Sequence, residues 1–263
     1  MVMQKISIVI SLLFLTSCAV VNKHRSQTKS QYVILKLDDL WYEDNLVHKG
    51  WTQVMDFLNE EGVIGTIGLI GSSLEEDNQE YFEWIKRRHD EGHEIWHHGF
   101  CHCRQTVGEL EIREYRGKEL DDQCESIAKT QRLAKEKLGI TLHTFGAPYN
   151  STDIHTITAL NKVPEIKIWL YKETSFTTDK FLLNQIKEVN IEYPVHIPDF
   201  EKFKEGYLKY QSEPILILQG HPRSWTEDIS RLEDFKKIIL FLKRQNVMFI
   251  TPLEYLKINK EKN

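Results

Sequence analysis

From residue 31 onward, short apolar runs alternate along the chain with amphipathic stretches. A short apolar run is typical of a buried strand, and apolar residues three and four positions apart are typical of a helix with one buried face. The apolar runs predict strands at residues 32–37, 63–70, 94–96, 142–145, 166–171, 189–191, 215–218 and 247–250. The amphipathic stretches predict helices near residues 48–60, 78–90, 113–138, 153–160, 200–210 and 232–245.

This alternation predicts an α/β fold in which mainly parallel strands are covered by helices. A length of 263 residues suits one barrel domain, and the sequence has no internal repeat or break in composition. We therefore expect an irregular (β/α) barrel of about seven mainly parallel strands surrounded by helices. Gly92 and Gly139 are placed to end two of the helices. Apart from the strand expected at residues 189–191, residues 173–198 carry the weakest pattern and are not assigned to elements.

The first residues have a different character. Lys5 precedes an apolar stretch over residues 6–15, which is typical of an export signal and too short for a permanent transmembrane helix. A buried N-terminal helix is the alternative, but the stretch lacks a polar face. Leu15-Thr16-Ser17-Cys18 resembles the lipobox of bacterial lipoproteins, in which the cysteine becomes the lipid-modified N-terminus.

These features predict a lipoprotein signal peptide over residues 1–17 and a flexible tether over residues 18–30. Residues 31–263 then form the catalytic domain. The mature protein is expected to be exported and held to a cell-envelope membrane through a lipid on Cys18.

Charge and cysteine content narrow the function. The formal net charge of −5 gives no sign of a nucleic-acid-binding surface. Without Cys18, the cysteines are Cys101, Cys103 and Cys124, an odd number that does not predict a disulfide framework. Cys101 and Cys103 flank His102, but their spacing is tighter than that of usual zinc ligands. We interpret the three cysteines as structural or free thiols.

Four segments place polar residues of catalytic or metal-binding type just past an apolar run. They are Asp38-Asp39, His97-His98 with His102, Gly146 to Tyr149, and His221. Each alone has an ordinary interpretation, as a turn, a helix cap or a hydrogen-bonded histidine. If the runs are parallel strands of one barrel, however, all four segments open onto the face where such barrels keep their active sites. Their conjunction predicts a metal-dependent hydrolase.

The spacing within these segments fits that chemistry. Of two adjacent carboxylates, one can bind a cation while the other acts as a base. His98 and His102 have the i,i+4 spacing that brings two imidazoles together. If His98 points inward, the period of a strand sends His97 the other way.

The same segments resemble the polysaccharide deacetylases, also called the NodB-homology domain or carbohydrate esterase family four. Residues 94–102 resemble the family's His-[Ser/Thr]-x-x-His metal motif, and Asp38-Asp39 its aspartate pair. Residues 145–150 resemble its Arg-x-Pro-Tyr segment and residues 216–221 its final histidine motif. The resemblance spans about residues 31–256.

The resemblance implies a role for each matching residue. Asp39, His98 and His102 would hold a divalent metal, with Zn2+ expected and Co2+, Ni2+ or Mn2+ as alternatives. Asp38 would be the general base and His221 the general acid. The backbone N–H of Tyr149 would stabilise the oxyanion.

The sequence departs from the family pattern at three points. Gly99 stands where the metal motif has serine or threonine, and Gly146 where the family has an arginine that steadies the catalytic aspartate. No clear Asp-x-x-Asp-Trp segment is present, although Trp169 ends a predicted strand near the place of that tryptophan. Arg223, close to His221, is the candidate to replace the missing guanidinium.

Aromatic residues fall close to the motif positions: Trp41, Phe100, Tyr149 and Trp225. Either they close the top of the barrel or they offer apolar faces to sugar rings. With Pro148 and Arg223, Trp41 and Trp225 are the predicted substrate-binding residues.

The sequence thus predicts a lipid-anchored deacetylase of an N-acetylated glycan, with an acetylated carbohydrate as substrate and no nucleic-acid or evident protein partner. An O-acetyl esterase with the same site is one alternative. A carbohydrate-binding lipoprotein with little turnover is another: Gly146 favours it, whereas the presence of both Asp38 and His221 argues against it.

Overall fold

The computed structural model describes residues 31–172 and 177–261. The strands are β1 (Tyr32–Leu40), β2 (Tyr42–Glu43), β3 (Leu46–Val47), β4 (Thr66–Leu69), β5 (Glu94–His97), β6 (Arg104–Val107), β7 (Leu110–Arg113), β8 (Thr144–Gly146), β9 (Ile168–Leu170), β10 (Phe181–Leu183), β11 (Ile215–Gly220) and β12 (Met248–Phe249). The α-helices are α1 (Lys49–Glu60), α2 (Gln79–Asp90), α3 (Leu120–Leu133), α4 (Ile154–Asn161), α5 (Phe200–Tyr210), α6 (Ile229–Arg244) and α7 (Pro252–Lys260).

The main sheet has the strand order β10-β9-β8-β5-β4-β1-β11, and every neighbouring pair is parallel. β12 pairs in parallel with the first residues of β1. The seven ordered strands form a nearly closed barrel surrounded by helices, which confirms the predicted fold class. The hydroxyl of Tyr171, just after β9, donates to the carbonyl of Ile217 in β11 at 2.7 Å and so links strands near the two edges.

Strand β1 is central to the barrel and determines where the site lies. It pairs with β11 along Tyr32 to Leu37 and with β4 near its end, and nearly all of its residues are buried. The register with β4 shifts between Leu37 and Leu40. A bulge of this kind changes the direction of side chains at the end of a strand. It allows both Asp38 and Asp39, which are adjacent in sequence, to reach the same face.

Two predicted elements differ from the structure. The helix expected over residues 113–138 begins at Leu120, because Arg104–Val107 and Leu110–Arg113 pair as an antiparallel hairpin. α3 continues into a π-helical segment, Ala134–Leu138, which ends at Gly139 as expected, where a φ of 75° places the glycine in the left-handed region. The strand expected at residues 189–191 is an irregular segment instead. Its apolar pattern arises because Val189 and Ile191 are buried in the main hydrophobic core.

Cys101 and Cys103 form a disulfide, so neither is a free thiol, whereas Cys124 is unpaired. The predicted signal peptide, the tether and Cys18 lie outside the described residues. Within residues 31–172 and 177–261, no helix is both long and apolar enough to cross a membrane.

Candidate metal centre and active site

Asp39, His98 and His102 come together at the carboxyl-terminal end of the barrel. Oδ1 of Asp39 lies 3.0 Å from Nε2 of His98 and 3.1 Å from Nε2 of His102. One ligand atom from each residue lies within 4.8 Å of the others. Asp39 and His102 have left-handed backbone conformations, with φ of 69° and 52°. Such conformations are unfavourable for residues other than glycine and tend to occur at functional sites.

The orientation of His98 is fixed by a backbone carbonyl. Its Nδ1–H donates to the carbonyl oxygen of Gly146 at 2.8 Å. This bond places the proton on Nδ1 and leaves the lone pair of Nε2 directed at Asp39, as in a typical metal-binding histidine. His97 faces away, since its Nδ1 accepts from the N–H of Gly99. Burial lowers the pKa of His97 to about 3, so its ring is neutral.

The loop that carries His102 is held by a buried carboxylate. Glu114, just after β7, accepts hydrogen bonds from the backbone N–H groups of Phe100, Cys101 and His102 at 2.5, 3.2 and 2.8 Å. The disulfide between Cys101 and Cys103 brackets His102 on both sides. These contacts fix the position of the His102 loop.

Gly99 is required by the same arrangement. Its φ is 77°, and a Cβ at this position would lie 2.7 Å from Oε2 of Glu114 and 2.7 Å from Cγ of Pro148. A serine or threonine, as in the family motif, would collide with the carboxylate that holds the loop. The first departure from the motif therefore has a steric reason.

Asp38 is buried beside Asp39, His98 and His102. Its Oδ2 accepts from Nζ of Lys36 at 2.5 Å and from Nε2 of Gln219 at 2.7 Å. The same oxygen lies 3.8 Å from Nε2 of His98 and 3.9 Å from Nε2 of His221. Its Oδ1 is buried and has no hydrogen-bond partner among the described residues. Such an oxygen is available to accept a proton from a molecule bound in the site.

Lys36, and not Arg223, is the cation that pairs with Asp38. Lys36 is fully buried, and its Nζ lies 5.1 Å from the ring centre of Trp96. Arg223 lines a surface pocket with Glu43, His48 and Glu227, so the expectation that it replaces the motif arginine is wrong.

Gly146, where the family has an arginine, leaves room for Lys36 and Trp96. A Cβ there would lie 2.7 Å from Cζ3 of Trp96 and 3.4 Å from Cε of Lys36. The space that a side chain at position 146 would need is thus occupied by Trp96 and Lys36. The positive charge beside Asp38 comes from β1 instead of β8.

His221 is positioned by Glu192. The imidazole Nδ1–H donates to Oε2 of Glu192 at 2.7 Å, and the backbone N–H of His221 donates to Oε1 at 2.8 Å. Burial opposes the charged imidazole, but the hydrogen bond and charge of Glu192, together with the carboxylates of Asp38 and Asp39, raise the pKa of His221 to about 9. His221 is therefore a protonated imidazolium at neutral pH, with Nε2 facing Asp38.

Glu192, His196 and His221 also bring ligand atoms within 4.8 Å of one another. Both oxygens of Glu192 are already occupied, however. Oε2 accepts from the backbone N–H of His196, and Oε1 accepts from Nε1 of Trp225 at 2.8 Å. We interpret this group as a support for His221 and not as a second metal centre.

The predicted substrate-binding residues lie in different environments. Trp225 is fully buried and holds Glu192, so the expectation that it presents a face to a sugar is wrong. Pro148 is also buried. Trp41 is half-buried and stacks on Tyr42 with ring centres 5.7 Å apart. Tyr149 is half-buried, with its ring centre 4.4 Å from that of His102 and its hydroxyl donating to the carbonyl of His102.

Tyr149 also has a left-handed backbone, with a φ of 59°, inside the short turn Pro148–Asn150. Asp39, His102 and Tyr149 therefore combine three unfavourable backbone conformations around one point. Each costs on the order of 1–3 kcal/mol and must be maintained by surrounding contacts. Trp169 does not join them: it is buried in a separate core cluster beside Phe145.

Four site residues were not identified from the sequence: Lys36, Glu114, Glu192 and Gln219. Lys36 had a usable signal, since it is the one charged residue inside the apolar run of residues 32–37. Gln219 also stands out as a polar residue at the end of an apolar run. Glu114 and Glu192 had no comparable signal, because each lies in an irregular segment far in sequence from the groups it holds.

The donor set fits a divalent metal. Two imidazole nitrogens and one carboxylate oxygen are the ligands of many catalytic zinc sites, in which other positions stay open. Burial raises the pKa of Asp39, but the hydrogen bonds and charges of His102 and His98 outweigh it and lower that pKa well below its usual range. Asp39 is therefore ionised at neutral pH, which is the form in which a carboxylate binds a metal.

Comparison with known proteins agrees with this geometry. The family model for polysaccharide deacetylase matches residues 25–164, more than half of the chain. Among curated protein sequences, none matches the chain.

Solved structures share the fold at low sequence identity. A family 4 acetyl xylan esterase from Clostridium thermocellum, in complex with cobalt, is 18% identical with a TM-score of 0.59, covering 87% of this chain and 91% of that chain. The peptidoglycan deacetylase PdaC from Bacillus subtilis is 14% identical with a TM-score of 0.59, covering 89% and 94%. A CE4 family pseudoenzyme from Bacillus anthracis is 16% identical with a TM-score of 0.58, covering 86% and 66%. On the strength of the family match and the shared fold, the chain belongs to the polysaccharide deacetylase family, the hydrolases of carbohydrate esterase family four.

Proposed function

We propose that this protein is a metal-dependent hydrolase that removes acetyl groups from an N-acetylated polysaccharide. The observation that carries the proposal is the position of Asp38. Its Oδ2 lies 3.8 Å from His98 and 3.9 Å from His221, so a base, an acid and the three metal-binding groups converge on one small volume. A protein that only binds glycans has no need of this convergence.

The residues divide the chemistry between them. Asp39, His98 and His102 hold the ion, which when bound supplies Lewis-acid polarisation and lowers the pKa of water. Asp38 takes a proton through its free Oδ1, while Lys36 and Gln219 fix Oδ2. His221 gives a proton to the departing amine. Because its pKa is raised, the imidazole binds a proton again at neutral pH. The backbone N–H of Tyr149 donates to the oxygen that gains negative charge.

Members of this family use a divalent metal. We propose zinc for this chain, because two nitrogen ligands and one carboxylate suit it, with cobalt, nickel or manganese able to occupy the same set. We also propose that the substrate lies in or near the cell envelope, to which a lipid on Cys18 would hold the enzyme.

An O-acetyl esterase is the second candidate, since a structural relative is an acetyl xylan esterase. Acetate release from acetylated chito-oligosaccharides and from acetyl-xylan, each with added zinc and with chelator, separates the two activities. Zinc-dependent release from the chito-oligosaccharides alone is the expected result. Release from acetyl-xylan alone would assign the esterase, and no release from either would leave a binding protein.

Matched variants test the assigned roles. Asp38→Asn and His221→Gln should each lower kcat by about 10²–10⁴, the usual size of an acid–base contribution. Asp90→Asn and His89→Gln change the same residue types at exposed positions of α2 and should leave kcat unchanged. Full activity of Asp38→Asn would contradict the mechanism.

A further inference from the structure

An exposed hairpin stands directly beside the metal-binding residues. Its strands, Arg104–Val107 and Leu110–Arg113, begin one residue after the disulfide-bracketed His102 loop and end immediately before Glu114. Arg104 and Arg113 are direct partners across the hairpin. Directly opposed residues of an antiparallel pair project from the same face, so both guanidinium groups lie on one side.

Both arginines lie over the ring of Tyr149. Their guanidinium carbons are 5.7 Å (Arg104) and 5.2 Å (Arg113) from the ring centre. The same ring centre is 4.4 Å from that of His102. The ring of Tyr149 therefore lies between the two guanidinium groups and the imidazole of His102.

Only one of the two positive charges is balanced by a carboxylate of the described residues. Like charges opposite each other on a hairpin destabilise it. Nε of Arg113 pairs with Oε1 of Glu111 at 2.5 Å, but Arg104 forms no ion pair with any carboxylate in the described part of the chain. Arg104 is exposed, and the chain as a whole carries a net charge of −5. The positive charge is thus local to this edge of the active site and accessible to a ligand.

We propose that Arg104 and Arg113 form a subsite for a carboxylate carried by the glycan, on the acetylated sugar or on its neighbour. The proposal rests on the proposed deacetylase function. A guanidinium offers planar paired donors that match a carboxylate, and two of them stacked on one ring are fixed in direction. The substrate class is accordingly an acidic N-acetylated glycan, and a neutral chitin-like chain is a poorer substrate.

The test compares two oligosaccharides of matched length. Hyaluronan oligosaccharides alternate N-acetylglucosamine with a uronic acid, whereas chito-oligosaccharides carry no carboxylate. Wild-type kcat/KM should be higher for the acidic substrate. The Arg104→Gln, Arg113→Gln double variant should lose about tenfold or more on the acidic substrate, through KM, and less than twofold on the neutral one. The charge-retaining lysine double variant should lie between these limits.

Controls separate this role from a structural one. Arg87→Gln removes an exposed arginine from α2, away from the hairpin, and should change neither substrate. Activity on the neutral substrate reports that the double variant is folded. An equal loss on both substrates would overturn the proposal, as would equal wild-type kcat/KM values.

If the wild type hydrolyses neither substrate, the proposed function fails but the subsite is still measured. Calorimetric titration of the zinc-loaded protein with each oligosaccharide should then give tighter binding of the acidic one, lost in the double glutamine variant. Equal affinity for the two would overturn the subsite.

Discussion

Nζ of Lys36 lies 2.5 Å from Oδ2 of Asp38, and both side chains are buried. The two residues are neighbours on the same face of β1, two positions apart. The family arginine that would steady this aspartate is absent, because position 146 is glycine. Lys36, which lies in the same strand as Asp38, supplies the positive charge instead. The site therefore retains an ion pair that the family motif does not predict.

Replacing Lys36 should therefore abolish most of the activity. Lys36→Met leaves the Asp38 carboxylate buried without its cation, which costs about 3–5 kcal/mol when one partner of a buried pair is removed. We expect a lower melting temperature and a fall in kcat of at least 10²-fold, the lower end of an acid–base contribution. Thermal unfolding and acetate release measure the two effects.

The matched comparison is Lys86→Met, which removes a lysine from an exposed pair on α2 with Glu83. That change should be nearly silent, since exposed pairs contribute about 0–1 kcal/mol. Unchanged kcat in a folded Lys36→Met protein would mean that Gln219 alone positions Asp38.

The pH dependence of the reaction should show the loss of the proton from His221. Its pKa is raised to about 9, so the imidazole keeps its proton at neutral pH and loses it as the pH rises through about 9. Activity should fall along the same limb if this proton is given to the leaving group. The sign for stability is the same: protonated His221 stabilises the folded state below its ordinary pKa of 6.5, and the contribution is lost between about 6.5 and 9.

Glu192→Gln should move that limb to lower pH by about 1–3 units, because it removes the carboxylate whose hydrogen bond and charge hold the proton. A profile of kcat/KM against pH measures the shift. A limb at the same pH in wild type and Glu192→Gln would show that another group titrates.

The sequence predicted the barrel because strand and helix periodicity are local properties that extend over many residues. The five predicted site residues could be found because each lies at or beyond the end of an apolar run, and the strands that these runs form end on the same face: Asp38, Asp39, His98, His102 and His221. Their roles as ligand, base and acid stay predictions that the activity measurements test. The helix start at Leu120 was missed because charged residues of the hairpin and of a helix surface look alike.

The supporting residues could not be found in this way. Glu114 and Glu192 act through tertiary contacts with residues 12 to 14 and 29 positions away, and no local spacing relates them. Arg223 was a wrong choice for the same reason: closeness in sequence to His221 does not bring its side chain to Asp38. Lys36 lies in the same strand as Asp38, so its position could be predicted from the sequence. Its burial could not.

Glu114 should control metal affinity although it is not a ligand. Glu114→Gln replaces a carboxylate that accepts three backbone N–H bonds of the His102 loop with an amide that has one acceptor oxygen. Loss of such supporting contacts typically weakens metal binding 10–100-fold. Zinc titration monitored by calorimetry measures the dissociation constant, with exposed Glu136→Gln as the control. Equal zinc affinity in Glu114→Gln and wild type would remove Glu114 from the metal centre.

Restoring the family residue at position 99 should harm this protein. Gly99→Ser introduces a Cβ at 2.7 Å from both Glu114 and Pro148, on a backbone with a φ of 77°. The left-handed conformation alone costs on the order of 1–3 kcal/mol, and relief of the collision requires Glu114 to move from the His102 loop. We expect a lower melting temperature together with weaker zinc binding. Gly108→Ser is the control, because Gly108 also has a positive φ, 62°, but open space around its Cβ. It should destabilise the fold slightly and leave zinc affinity unchanged, so matching zinc affinities for the two variants would contradict the steric argument.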